Sequence, residues 1–351
     1  MKKKICVVGS GKWGTAVAKL IAENVDQSEV YSEKVHLYVY EEIFRGEKLS
    51  DIINRNHTNP KHLPHVKIPN NIEAIPCIES AIQDADILVF VLRQQFLAET
   101  CDKMKGFIKK EAIGISLTKS IYHHTADANH GELRTASDVI RDKLQIDVSV
   151  LMGPNLADEI AKEKFSETTI GCKDQTLFPI WKDIFSSSYF VVRFCKSVRE
   201  VELCGALKNI VAAASGICDG LRYGENCKAA IIRLGFQEMK EFIKLLMAGQ
   251  YDDSVLWEPC GFADLIATCY GGVTRKVVEQ FAQSKKTLRE VEKEHFNGMV
   301  LEGPENVKQA YHWLQAEKQE LNKFPLLGAV YGVFHDGKPI ESFIETLKES
   351  F

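Results

Sequence analysis

The sequence predicts a doubly wound α/β sheet domain followed by an all-helical C-terminal domain, on three observations. Short apolar runs alternate with helix-like segments through the first two hundred residues, the pattern of a strand–helix–strand fold. Strand signals fade after about Val198, and helix-like segments follow one another to the C-terminus. The length, 351 residues, is too great for one small core and fits two domains. The division falls at Lys196, giving domains over 1–196 and 197–351.

The elements read in order as follows. ICVVG (5–9) is a strand ending in glycine, and an alanine-rich helical segment runs from Gly14 to about Glu23. VHLYVY (35–40), ADILVFVL (85–92), AIGISLT (112–118), VSVLMG (148–153) and ETTIGC (167–172) are further strands. They are apolar throughout rather than alternating, as in a parallel sheet covered on both faces. The polar stretch YHHTADANHGE (122–132) reads as a loop. Beyond Val198, SVREVELCGALKNIVAAASGIC, AAIIRLGFQEMKEFIKLLMAG, ADLIATCY, KVVEQFAQ, ENVKQAYHWLQAEKQ and ESFIETLKES read as helices.

Composition excludes several classes. A net charge of −4 argues against a chain built to coat nucleic acid or acidic membrane. The strongest apolar stretches, ILVFVL and IVAAASGIC, fall far short of the roughly 20 residues of a membrane span. Met-Lys-Lys-Lys leads directly into a strand, with no secretory core, so a soluble intracellular protein is expected. The ten cysteines show no metal-ligand spacing and read as free thiols. His123, His124 and His130 lack a cysteine or carboxylate pattern and read as a solvated loop, so no metal is expected. The sequon Asn56-His57-Thr58 reads as accidental.

Chemistry concentrates in two places. Gly9-Ser10-Gly11-Lys12-Trp13-Gly14 is G-x-G-x-x-G between a strand and a helix. Gly9 suits the tight turn, Gly11 the approach of backbone to a pyrophosphate, and Gly14 close packing of helix on strand. The helix start then aims N–H groups at phosphate oxygens. This makes the first domain Rossmann-type and dinucleotide-binding. Tyr40-Glu41-Glu42 ends the second strand; a carboxylate there suits either an adenosine ribose, favouring NAD, or plain solvation.

The second place is Lys208-Asn209, set within the apolar CGALKNIVAAASGIC. A desolvated lysine can donate the proton that a carbonyl needs on hydride reduction; the alternative is a lysine reaching solvent at its helix edge. Asp264 and Thr268 are four apart and share a helix face. Lys119 ends one strand and Asn155 follows another, at the carboxyl ends where open α/β sheets place ligands.

On VVGSGKWGTAVAK, SVLMGPNLADEIAKEKFSETTIGC, VELCGALKNIVA, GICDGL, KAAIIRLG, CGFADLIATCYGG and KFPLLGAVY, the chain resembles NAD-dependent glycerol-3-phosphate dehydrogenase of the eukaryotic cytoplasmic type over nearly its whole length. The resemblance implies interconversion of dihydroxyacetone phosphate and sn-glycerol 3-phosphate with NADH or NAD, and a cytoplasmic homodimer. It implies Lys208 as the proton donor and acceptor, with Lys119, Asn155 and Asp264 as its catalytic companions. Lys119, Asn209, Thr268 and the stretch Val273, Thr274, Arg275 are the implied substrate contacts. Gly9, Ser10, Gly11, Lys12, Trp13, Gly14, Tyr40, Phe96, Ala157, Val300 and Glu302 are the implied cofactor contacts.

The chain departs from that family at several points. Lys12 stands for asparagine, and Arg93-Gln94 for proline and histidine. Val273-Thr274 replaces an Arg-Asn pair that helps hold the phosphate, and Val300 and Glu302 replace lysine and glutamine. Valine cannot imitate a fork-shaped arginine contact. Arg275, Lys12 and Arg93 are candidate replacements for the missing cation. Two other readings follow: a related hydroxyacid dehydrogenase with a different substrate, and a catalytically weak NAD-binding paralogue.

Overall fold

The computed structural model describes residues 2–123, 131–284, 286–296 and 300–351. His124 and His130 lie outside the described residues. The chain separates into two compact units, one of residues 1–118 and 136–198, the other of 119–135 and 199–351.

The first unit is built on an eight-stranded sheet of β1 (Lys3–Val8), β2 (Tyr31–Tyr38), β3 (Ile72–Ile75), β4 (Ile87–Phe90), β5 (Ile113–Ser116), β6 (Asp147–Met152), β7 (Ser166–Gly171) and β8 (Phe190–Cys195). Their spatial order is β8-β7-β6-β5-β4-β1-β2-β3. Neighbours run parallel with one exception, the antiparallel pair β6–β7. A parallel return needs a full crossover. The connection here carries only a four-residue helix, Ala157–Ile160, and the strand comes straight back. The sheet is therefore mostly, not wholly, parallel.

Helix α1 (Lys12–Val25) follows β1 and buries Val17, Leu20, Ile21 and Val25 against Ile5, Val7, Leu37 and Val89 in the main core of this unit. A second helix, α2 (Gln94–Met104), follows β4. Two strands of this sheet have no counterpart in the sequence reading, β3 and β8, and they are its two edges. Edge strands are covered on fewer sides: β3 alternates buried and half-buried residues, and in β8 only Phe190 is fully buried. A reading keyed to continuous apolar runs passes over both.

The second unit is helical. Its axis is α3 (Val198–Gly220), a helix buried nearly throughout. Among the described residues it alone is long and apolar enough to cross a membrane, and its most apolar stretch is entirely covered by protein. Around it stand α4 (Glu225–Leu246), α5 (Asp264–Gly271), α6 (Val273–Gln283), α7 (Glu302–Ala316) and α8 (Pro325–His335). Small residues let them close in. A Cβ on Gly216 would meet Arg275 and Val278 of α6, and one on Gly235 would meet Val211. Two further features escaped the sequence reading: α8, opened by Pro325, and the helix Leu288–His295, opened by a Thr287/Glu290 capping box.

Residues 119–135, read from sequence as part of the first domain, group with the helices. They form a hairpin, Ile121–His123 against Leu133–Thr135, seated on α7. Asn306 and Gln309 of α7 accept from the Ile121 and His123 N–H groups at 3.4 and 2.9 Å. The Arg199 guanidinium donates to the Leu133 carbonyl at 2.7 Å. All ten cysteines are free thiols, seven of them buried.

Candidate active site

In the first unit the glycine turn adopts a conformation that only glycine serves well. Gly9 sits at φ +121°, and a side chain there would run into the Val91 backbone. A Cβ on Gly14 would strike the Gly9 carbonyl, so Gly14 is what lets α1 start directly over the strand end. Above Gly11 the space is open. The first intrahelical bond runs from Thr15 N–H to the Gly11 carbonyl at 2.9 Å, and no side chain among the described residues caps the turn before it. The preceding N–H groups are thus presented for an anion, and the cradle fits the pyrophosphate of NAD.

Two residues the sequence reading missed hold this turn. Thr15 Oγ1 donates to the Ser10 carbonyl at 3.1 Å, and the fully buried Asn59 donates to the same carbonyl and to Thr15 Oγ1, both at 2.9 Å. Thr15 lies one residue past the motif and was open to the same reasoning. A single asparagine in a loop gave no signal.

The other expected cofactor positions in this unit divide. Trp13 and Ala157 pack in one small cluster with Ala16 and Leu63. Lys12 reaches the same segment through Asp158 at 3.0 Å, so its charge is paired there. Tyr40 and Phe96 are exposed rings, open to stack on a base or nicotinamide. Glu41 accepts from Ser50 Oγ at 2.6 Å, and Glu42 pairs with Lys61. Both carboxylates therefore carry structural duties at the strand end. Asn155 donates to Ser166 Oγ at 2.9 Å and the Glu167 carbonyl at 3.0 Å, and accepts from Thr168 Oγ1 at 3.0 Å. Its amide pins the β6–β7 connection, a use the sequence reading did not foresee.

The helical unit gathers its charge around Asp264, whose side chain is 2% exposed. One carboxylate oxygen pairs with Lys208 of α3, and the other with Lys119 at 3.2 Å. Thr268, one turn along α5, donates to Asp264 at 3.3 Å. Asp264 is delivered by a π-helical turn, Pro259–Ala263, in which its own N–H reaches back to Pro259. Such turns recur at functional sites. Lys119 is fixed from behind by Asn306, whose amide donates to the Lys119 carbonyl at 3.1 Å and the Ala206 carbonyl at 3.0 Å. Asn306 is fully buried and also escaped the sequence reading, because its partners are all backbone atoms of distant segments.

The two lysines are driven apart electrostatically. Burial, and then the neighbouring Lys119 cation, bring Lys208 down to about 7 despite Asp264. Burial acts on Lys119 in the same sense, but Asp264, Lys208 and Glu302 outweigh it and hold Lys119 above its ordinary value. A pair of titrating groups pushed in opposite directions is what acid–base chemistry near neutral pH requires. Lys119 is thus held toward its charged form, and Lys208 is brought toward the neutral range.

The remaining expected contacts also lie in this unit. Val273 opens α6 as an exposed apolar side chain, and Thr274 is buried beside it. Arg275 turns away to Asp219 at 2.9 Å and Glu279 at 2.7 Å. It therefore does not stand in for an arginine at 273. Val300 is exposed, and Glu302 accepts from Asn209 Nδ2 at 3.2 Å.

A doubly wound sheet opening on a dinucleotide turn, joined to a helical unit, is an architecture of nicotinamide-dependent dehydrogenases. The N-terminal model of NAD-dependent glycerol-3-phosphate dehydrogenase matches residues 4–178, and its C-terminal model matches 197–345. Cytoplasmic glycerol-3-phosphate dehydrogenase [NAD(+)] of Homo sapiens is 46% identical over 99% of this chain and 97% of its own length. Glycerol-3-phosphate dehydrogenase 1-like protein of Mus musculus is 47% identical over 98% of this chain and 97% of its own. The structure of Plasmodium falciparum glycerol-3-phosphate dehydrogenase superposes with a TM-score of 0.90 at 36% identity, covering 98% of this chain and 95% of that one. The chain belongs to the NAD-dependent glycerol-3-phosphate dehydrogenase family.

Proposed function

We propose that this chain interconverts dihydroxyacetone phosphate and sn-glycerol 3-phosphate with NADH and NAD, and that Lys208 is its general acid and base. The observation that carries the reading is the buried Lys208–Asp264–Lys119 cluster, with Lys208 brought to about 7 by burial. Gly9, Ser10, Gly11, Lys12, Trp13, Gly14, Tyr40, Phe96 and Ala157 are the residues that would hold NAD. When bound there, NADH would be the source of the hydride that reduces the carbonyl carbon. Lys208 Nζ gives its proton to the carbonyl oxygen as negative charge develops there, and in oxidation the neutral amine takes it back. Asp264 orients Lys208, and Lys119 supplies fixed positive charge toward the forming alkoxide. Thr268, Asn209, Thr274 and Thr274's neighbour Val273 line the substrate side, and Asn155 acts indirectly by fixing the β6–β7 connection.

NADH consumption with dihydroxyacetone phosphate tests this directly. Saturable turnover that disappears in Lys208→Ala is expected, and wild-type protein without saturable turnover would overturn the proposal. An unphosphorylated keto substrate is the second reading, favoured by an apolar Val273 and by an Arg275 committed to Asp219 and Glu279. Higher kcat/KM on a 2-keto or 3-keto acid than on dihydroxyacetone phosphate would select it. The name of the human relative supports a cytoplasmic location, and family likeness supports a homodimer.

A further inference from the structure

Asn209 lies on the proposed substrate side, and its Nδ2 already has partners. One Nδ2 hydrogen points back to the Gly205 carbonyl at 3.5 Å, and the other goes to Glu302 Oε2 at 3.2 Å. Glu302 is placed there by close helix packing. A Cβ on the next residue, Gly303, would lie 2.5 Å from the Asn209 carbonyl oxygen and 2.7 Å from Thr274 Cγ2. Only glycine lets the start of α7 press this tightly between α3 and α6. Glu302 is in the first turn of α7, where the helix favours negative charge.

Among the described residues, Asp264 and Glu302 both act electrostatically on Lys119, and Asp264 acts on Lys208. Neither Val273 nor Thr274 adds a cation, and Arg275 is paired elsewhere. A dianionic phosphate must therefore compete with a carboxylate that belongs to the protein and already holds the Asn209 N–H.

We propose that Glu302 is a specificity-determining residue, a built-in competitor that occupies the Asn209 donor and weakens binding of phosphate-bearing substrate relative to uncharged substrate. The inference rests on the proposed substrate side of this site, and it concerns ligand charge rather than proton transfer. Lys208 keeps its role whatever Glu302 does.

The experiment compares wild type with Glu302→Gln, which keeps an acceptor for Asn209 and loses the charge, and Glu302→Ala, which loses both. KM is measured for dihydroxyacetone phosphate and for unphosphorylated dihydroxyacetone, with inorganic phosphate as competitive inhibitor. Removing one partly screened unit charge should lower KM for the phosphorylated substrate and Ki for inorganic phosphate about fivefold. The KM for dihydroxyacetone should move less. Phosphate-induced thermal stabilisation, read without turnover, should rise in parallel. Unchanged or weaker phosphate binding in both variants, or an effect confined to KM for NADH, would overturn the proposal. The thermal measurement keeps it separate from the functional reading: absent wild-type turnover refutes the latter, while phosphate binding still judges Glu302.

Discussion

The two units build their polar regions by opposite means. The glycine turn uses backbone and the removal of side chains: Gly9 and Gly14 are there for what they lack, and the supporting bonds from Thr15 and Asn59 are neutral. The helical unit uses formal charges at close quarters, two lysines on one buried aspartate and a further carboxylate on Asn209. A backbone cradle is indifferent to pH and tolerates changes in the residues between its glycines. A charge cluster responds to the loss of any of its members, because each sets the charge its neighbours feel.

The largest expected effect lies in the charged region. Lys208→Met should reduce turnover by about a thousandfold, the usual scale for losing a general acid, while NADH binding followed by fluorescence stays within about threefold. Equal loss of NADH affinity would break the contrast between the units. In the intact protein, dihydroxyacetone phosphate reduction needs protonated Lys208, so its rate should fall as pH rises through about 7. Oxidation of glycerol 3-phosphate needs the neutral amine, so its rate should rise through the same range. A pH profile flat between 6 and 8, flanking that value by about a unit, in both directions would remove Lys208 from proton transfer.

Next comes Asn306→Ala. It strips the Lys119 and Ala206 carbonyls of a buried donor and should cost about 3 kcal/mol in chemical denaturation, at roughly 1–3 kcal/mol for each buried group left unsatisfied. Gly14→Ala tests the backbone cradle. The added methyl meets the Gly9 carbonyl, and about 2 kcal/mol of overpacking should appear as lost stability and weaker NADH binding by titration. A smaller effect is expected from Val273→Arg, which returns a cation to the start of α6. It should lower KM for the phosphorylated substrate by about tenfold, the equivalent of one charge-assisted hydrogen bond. Unchanged Michaelis constants for both substrate and NADH would mean the missing arginine has no cost here.

Much of this was legible from residue order alone, for reasons that differ by element. The central strands are continuous apolar runs, so they stand out; β3 and β8 are half-covered edges and do not. The glycine turn and the Lys208 helix announce themselves because each breaks a local rule, glycines in a row or a lysine in an apolar helix. Asn59 and Asn306 break none. Each is an ordinary polar residue whose partners lie far away in sequence, 49 residues from Ser10 in one case and 187 from Lys119 in the other. Asn155 carries a duty its position did not suggest: it stands at a strand end of the kind that holds ligands, and its amide also bonds across the β6–β7 connection. The antiparallel pair β6–β7 within the large sheet was invisible because apolar content does not encode strand direction.

The π-helical turn Pro259–Ala263 follows the extended Glu258 and starts the helix that carries Asp264, winding it wider than an α-turn. An α-helix advances about 100° per residue, so one residue more or fewer in that first turn changes the azimuth of Asp264 and Thr268. Deleting Gly261 would let the turn relax to ordinary winding and swing Asp264 and Thr268 together by roughly that angle. The carboxylate between the two lysines would then point elsewhere with no chemistry-bearing residue changed. Asp264 is thus a matter of phase as much as of identity, and a sequence that keeps the aspartate but loses one residue of that turn would keep the letter and lose the site.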